Sequence, residues 1–313
     1  MTEHPSKKPD FRAGFVAIAG KPNVGKSTLM NALVGAKVSA VSHKPQTTRD
    51  AIKGILTRPD CQIVFVDTPG LIQPRDRFNE YLLEQALEAL TDVDVLYHLV
   101  EPDDPTPRNE TIAAALESVR CACFLVVNKI DRLAGGLPAA IEAAAHHYEE
   151  TFRISALNRN GLDDLLERTV LRLPAHPPYY DEDDLTDRDA RFLVGEIVRE
   201  KLFDLTEQEV PYSIAARVEE FTERPGRKHF IRVVIFVERE SQKGLVIGAN
   251  GELLKQVGRL ARADVERLID HPVYLELWVK VRKNWTKKPT ELRRLGYAAS
   301  PRKSTKRRDG RRS

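Results

Sequence analysis

Gly20-Lys21-Pro22-Asn23-Val24-Gly25-Lys26-Ser27 follows the apolar run Phe15-Val16-Ala17-Ile18-Ala19 and opens the helical stretch Ser27–Leu33. Two glycines with four residues between them, then Lys-Ser, between a buried strand and a helix form the pattern of a phosphate-binding loop. Glycine lets the backbone curl until successive N–H groups converge on an anion, and the helix N-terminus favours negative charge there. The spacing predicts that Gly20, Asn23, Val24, Gly25, Lys26, Ser27 and Thr28 surround the phosphates of a nucleotide. Lys26 then reaches the β and γ oxygens, and the Ser27 hydroxyl serves Mg²⁺.

Working outward, the first half repeats the strand-then-helix alternation. Gln62–Val66, Val93–Val100 and Cys121–Val127 read as further buried strands. Helical patterns lie at Phe78–Leu90, Thr111–Val119, Pro138–Tyr148 and Leu162–Leu173. Such alternation predicts an α/β, doubly wound, mostly parallel sheet with helices on both faces. Two strand ends carry chemistry. Asp67-Thr68-Pro69-Gly70 follows the second strand, with Asp67 placed to hold Mg²⁺ through water and the Gly70 N–H placed to sense a γ-phosphate. Asn128-Lys129-Ile130-Asp131 follows the strand Cys121–Val127. Guanine presents N1–H and N2–H₂ together, and one carboxylate accepts both. Asp131 therefore selects guanine, Asn128 bridges the base to the loop, and the Lys129 stem covers the ring. Ser155-Ala156-Leu157 completes this pocket, with the Ala156 N–H facing guanine O6.

The stretch Leu173–Asp184, dense in proline and acid, reads as a linker. Beyond it the order changes to helix (Arg191–Leu205), strand (Tyr212–Val218), strand (Phe230–Val237), short helix, helix (Gly251–Ile269) and strand (Val273–Val281), an α+β domain. Net charge is only +3, but the chain turns strongly basic from Lys280 to Ser313, which favours a phosphate-bearing partner. Three scattered cysteines exclude a disulfide framework and a structural zinc site. No apolar run approaches the roughly 18 residues of a membrane span, and no signal peptide is evident. The reading is a cytosolic protein in which a monomer suffices.

These motifs in this order resemble the translation-factor-related GTPases. Gln46-Thr47-Thr48-Arg49 resembles the switch I of the Era-type branch. Thr186-Asp187-Arg188, Gln242–Gly251 and the ending Arg293-Arg294-Leu295-Gly296-Tyr297 also match that branch. The resemblance runs from about Gly14 to Tyr297 and implies a ribosome-assembly GTPase with a C-terminal type II K homology (KH) domain. It implies that Gln46, Thr47 and Thr48 form switch I, with Thr48 joining Ser27 and Asp67 around Mg²⁺ in the GTP state. It implies that Asn23 helps hold a K⁺ ion that stimulates hydrolysis. The Phe78–Leu90 helix becomes the second switch region. Leu71 occupies the place where better-known small GTPases carry a water-orienting glutamine, so intrinsic hydrolysis should be slow.

Gly248-Ala249-Asn250-Gly251 matches the Gly-x-x-Gly loop that clamps single-stranded RNA. Relatives carry a lysine inside this loop and this chain does not, so Lys243, Lys255 and Arg259, with Arg262, are expected to supply the charge. The implied partner is the 3′ region of small-subunit ribosomal RNA within the 30S subunit. Peripheral attachment to the inner membrane is allowed by the resemblance, although no amphipathic anchor is evident. The expected division is an arm at 1–12, a GTPase domain at 13–173, a linker at 174–188, a KH domain at 189–285 and a basic tail at 286–313. A static RNA-binding scaffold with a vestigial nucleotide site is the alternative. A tRNA-modification GTPase is disfavoured because that branch's terminal cysteine motif is missing.

Overall fold

A computed structural model describes residues 11–44, 47–71, 73–74, 77–133, 135–206, 213–295 and 297. The first-half order is β1 (Arg12–Gly20), α1 (Lys26–Val34), β2 (Ile52–Arg58), β3 (Cys61–Asp67), α2 (Arg77–Glu88) and β4 (Val95–Val100). It continues through α3 (Glu110–Glu117), β5 (Ala122–Val127), α4 (Ala139–Ala145), β6 (Glu150–Arg153) and α5 (Leu162–Arg172). The sheet order is β2-β3-β1-β4-β5-β6, parallel except for the antiparallel β2–β3 pair. From β1 the chain winds to one side and then returns to the other, so the end of β1 is a topological switch point, where α/β sheets open a crevice. Strands β3 and β4 are buried along their whole length, which explains their unbroken apolar runs.

The sequence reading missed β2. Its Gly54 weakens the strand signal, but a Cβ there would lie 2.8 Å from Val34 and 2.9 Å from Met30, so the glycine admits α1 onto the sheet. The proline-rich linker is not free chain. Buried Gln62 accepts the N–H groups of Tyr179 (2.6 Å) and Tyr180 (3.0 Å) and donates to Tyr180 O (2.9 Å). Ile55 N donates to Leu185 O at 2.9 Å, and Thr186 bridges Gly54. The segment covers the exposed edge of β2, whose backbone groups would otherwise go unpaired.

The second half holds α6 (Ala190–Leu205), β7 (Ala215–Thr222), β8 (His229–Val237), α7 (Glu240–Ile247), α8 (Glu252–Ile269), β9 (Val273–Val281) and α9 (Pro289–Arg294). Its sheet is β7-β8-β9, with β7 antiparallel and β9 parallel to β8. One face, carrying Ile231, Val233, Ile235 and Val237, packs on α6 and α8 through Val194, Val198, Val257, Ala261 and Val265.

Charge alone placed residues 286–313 in a tail, and the structure corrects this for 286–295 and 297. Trp285, Leu292, Leu295 and Tyr297 are buried with Val234 and Phe236 of β8 and with Phe78, Tyr81 and Leu82 of α2. Four apolar side chains, widely spaced among lysines and arginines, fold the segment onto both halves of the chain. Of the expected arm at 1–12, residues 1–10 lie outside the described residues, as do Gln46, Gly296 and the tail from 298, while Arg12 begins β1. Among those described, no helix is long and apolar enough to cross a membrane.

Trp285 is fully buried, stacks on Tyr297 at 5.5 Å and donates its indole N–H to Ser213 O at 2.9 Å. Trp285→Ala should lower unfolding free energy by about 3–5 kcal/mol. Urea denaturation checks this, and an unmoved midpoint would mean the segment is not part of the fold.

Candidate functional site

Beyond β1 the chain turns through Asn23 at φ 66° and Gly25 at φ 99° into α1. A Cβ on Gly25 would lie 2.4 Å from the Asn128 amide nitrogen, so glycine is required for close approach as well as for the turn. Gly20 has a different task from the one expected. It does not line the cavity, but a Cβ there would meet Leu99 O at 2.3 Å, so it lets β1 lie close to β4. The Lys26 ammonium, buried within the loop, donates to Lys21 O at 2.9 Å and Gly20 O at 3.2 Å. Burial lowers its pKa to about 8, with Asp67 pulling the other way.

Asp67 is fully buried at the end of β3. Its Oδ2 accepts the hydroxyls of Ser27 (2.6 Å), Ser39 (2.9 Å) and Thr48 (3.2 Å), while Ser27 and Thr48 lie 2.9 Å apart. Its Oδ1 has no hydrogen-bond partner. Burial raises its pKa, opposed by the Ser27 hydrogen bond and by Lys26. A buried carboxylate with an orphan oxygen beside two converging hydroxyls is a hard-oxygen donor set, and it fits Mg²⁺. Ser27, Thr48 and Asp67 are the residues that would hold it. Thr68 is buried behind them and donates to Ile18 O at 2.9 Å, fixing the turn that carries Asp67. Gly70 lines the cavity, where a Cβ would collide with Pro22 at 2.8 Å.

The other end of the cavity is built by loops after β5 and β6. Asn128, buried, donates to Val24 O (2.8 Å) and accepts the Ala156 N–H (2.9 Å), tying three loops together. Ser155 donates to Asp131 Oδ1 at 2.5 Å, orienting a carboxylate that is itself exposed to the cavity. Lys129, at φ 62°, donates to Asn23 O at 2.7 Å and pairs with Glu101. Leu157 stands exposed at the rim. The cavity of about 400 Å³ thus joins Lys26, Ser27, Thr28, Thr47, Thr48 and Gly70 to Asn128, Lys129, Asp131, Ala156 and Leu157. Val24, Thr68, Pro69 and Ser155 support this wall without lining it. Sequence reading missed Ser39, the cavity-lining stretch Ala40–His43 and Arg132. Small, irregular segments of this kind leave no periodic trace. Asn23 donates its side-chain amide to His43 O at 2.8 Å, joining the phosphate loop to this stretch.

In the second half Gly248 (φ 73°), Asn250 (φ 51°) and Gly251 (φ 77°) all have left-handed backbone between α7 and α8. Gly248 packs so close to Leu253 that a Cβ would lie 2.8 Å from it. The expected loop is therefore a sharp turn between α7 and α8. Lys255, Arg259 and Arg262 are exposed at one-turn spacing along α8, and Lys243 is half-exposed on α7.

Residues 15–129 match the 50S ribosome-binding GTPase family and residues 209–286 the KH domain family. The chain is 44% identical over 293 residues to the GTPase Era of Carboxydothermus hydrogenoformans, spanning 92% of this chain and 98% of that protein. It is 45% identical over 301 residues to the GTPase Era of Lacticaseibacillus paracasei, spanning 95% and 98%. Among solved structures it resembles Era in complex with MgGDPNP and nucleotides 1506–1542 of 16S ribosomal RNA. That match has a TM-score of 0.86 and 37% identity, over 92% of this chain and 100% of that one. An Aquifex aeolicus Era variant bound to GDP·AlF4⁻ matches at TM-score 0.87 and 36% identity, with the same coverage.

With a pKa of about 8, Lys26 loses its proton as pH rises beyond 8, and a bound phosphate chain would restore it. Nucleotide binding at pH 9 should therefore take up close to one proton, and affinity should fall about tenfold per pH unit above 8. Calorimetry in two buffers of different ionisation enthalpy measures the uptake, and none at pH 9 would show Lys26 already charged.

Proposed function

The chain belongs to the Era family of GTPases, and from that membership and the site geometry we propose that it is a GTP-binding and GTP-hydrolysing switch. In this reading it binds the 3′ region of small-subunit ribosomal RNA on the 30S subunit during ribosome assembly. The observation that carries the first part is one continuous cavity with a basic, hydroxyl-rich phosphate end and a carboxylate at its base end. Loop amides and Lys26 bind the β and γ phosphates. Ser27 and Thr48, with Asp67 through water, would hold Mg²⁺, which would neutralise charge that builds on the phosphate oxygens. Asp131, oriented by Ser155, accepts the two guanine donors, and adenine lacks that pair. The Gly70 amide lies at the γ-phosphate end. Leu71 is buried and apolar, so it cannot orient water, and slow hydrolysis follows. Asn23, bonded to His43 O, is the residue we assign to a stimulating K⁺ ion.

RNA binding is assigned to Gly248–Gly251 with Lys243, Lys255 and Arg259. The two inner loop residues bring no charge, so the cations of α8 supply the phosphate contacts. The GTPase domain is taken as 13–173, the linker as 174–188 and the RNA-binding domain as starting at 189. The second domain extends to the folded segment at 285–297. As a member of this family the protein is taken to work in the cytoplasm. The static-scaffold alternative is not favoured, because Lys26, Ser27, Thr48, Asn128 and Asp131 all line one cavity.

Phosphate release from GTP, in KCl and in NaCl, tests the reading. GTP but not ATP should turn over, faster in KCl. Asp131→Asn should move preference toward xanthine nucleotides by at least about two decades, and retained GTP selectivity would remove Asp131 as base reader. Lys255→Glu with Arg259→Glu, both on the solvent face, should weaken binding of a 16S 3′-end RNA about 10- to 100-fold and flatten its salt dependence. GTP affinity should be unchanged. Unaltered RNA binding would shift the contact elsewhere.

A further inference from the structure

Thr48 belongs to a stretch without regular secondary structure, yet its hydroxyl must meet Ser27 and Asp67. Both of its neighbours are held by the second domain. The Thr47 carbonyl accepts from the guanidinium of Arg199, which lies on α6. Arg49 reaches the other way. It donates to Ile214 O at 2.5 Å, and its guanidinium lies 5.1 Å from the Phe78 ring, 5.5 Å from Phe203 and 5.8 Å from Tyr297.

Each arginine is only 1% exposed. Arg199 is steered by Glu196, which accepts its Nε at 2.8 Å, and lies over Phe203 at 5.2 Å. One turn further, Glu200 accepts the Val41 N–H at 3.0 Å, so the same helix also grips the upstream half of the stretch. Arg199 and Ile214 lie outside the nucleotide cavity. Buried guanidinium-to-carbonyl bonds are charge-assisted and costly to leave unmade, so they fix backbone position strongly.

We propose that the second domain completes the hydrolysis site within the same chain. Arg199 at the Thr47 carbonyl and Arg49 at the Ile214 carbonyl hold the Thr48 hydroxyl in the place where it serves the triphosphate. Arg199 is thus a positioning residue, contributed by the RNA-binding domain. Any event that moves α6 away from the first domain would release Thr48 and slow hydrolysis without emptying the nucleotide site. The inference rests on the GTPase reading above.

The test uses the full chain with Arg199→Ala and Arg199→Lys. In Arg199→Ala, kcat should fall about tenfold or more with KM and GDP affinity within about twofold, the pattern of a lost transition-state constraint. The ratio of GTP-analogue to GDP affinity should fall as well. Arg199→Lys, which keeps one donor, should recover part of the loss. A readout independent of turnover is amide exchange in nucleotide-free protein. It should rise across residues 47–49 in Arg199→Ala and stay unchanged in α1. Should the alanine variant fail to fold, Arg199→Met, which keeps the stem volume, takes its place. Wild-type turnover matched by the variant, with equal exchange, overturns the positioning role and leaves the GTPase reading intact. Absence of GTP turnover in the wild type overturns both.

Discussion

A single buried carboxylate organises the nucleotide site. Asp67 has no solvent around it, and an ionised carboxylate in such a place is costly unless it is paired. Three hydroxyls, from Ser27, Ser39 and Thr48, meet one of its oxygens, and the other points at no protein donor. The nearest cation is Lys26, whose own charge is disfavoured by burial. Two desolvated groups of opposite sign, neither fully satisfied by the protein, make a site with a strong preference for a bound anion and a hard cation together. The phosphate loop, the strand ends and the irregular stretches at 37–44 and 47–49 are all arranged around that need.

The base end follows a different logic. Asn128 spends its amide on holding loops together, with one bond to Val24 and one from Ala156. In the proposed reading, Asp131 is left to discriminate. Its exposure does not weaken that role, because selectivity comes from what an unmatched ligand leaves unpaired rather than from the strength of the pair itself. Backbone in the left-handed region at Asn23 and Lys129 sets the two loops against each other through a Lys129–Asn23 bond, local strain at the place where ligand geometry matters most.

The two domains share side chains rather than merely abutting. Phe78, Tyr81 and Leu82 of α2 complete an aromatic cluster with Trp285 and Tyr297, and Arg49 enters that cluster from the first domain. Lys37 pairs with both Glu200 of α6 and Asp264 of α8. The helix that carries the exposed cations Lys255, Arg259 and Arg262 is therefore linked to the segment that precedes Thr48.

What the sequence determined by itself was everything set by local spacing. A loop that cradles phosphate needs its glycines, lysine and serine at fixed offsets. Asn128-Lys129-Ile130-Asp131 must follow a strand, and the strands of a parallel sheet must be apolar throughout. Those constraints act within a few residues, so Gly20–Ser27, Asp67–Gly70, Asn128–Asp131 and Gly248–Gly251 were legible, as was the change of element order at the linker. Only the tertiary structure decided matters that depend on partners far along the chain. Gly54 makes β2 possible because α1 lies over it. Gln62 turns a proline-rich stretch into an edge cover. Leu292, Leu295 and Tyr297, packed around Trp285, fold a basic segment that charge alone assigned to a tail. Arg49, in sequence only the last residue of a switch motif, and Arg199, an ordinary helical arginine, stand 150 positions apart. They acquire meaning because burial leaves a guanidinium no choice but to find carbonyls and rings, and folding brings those from the opposite domain.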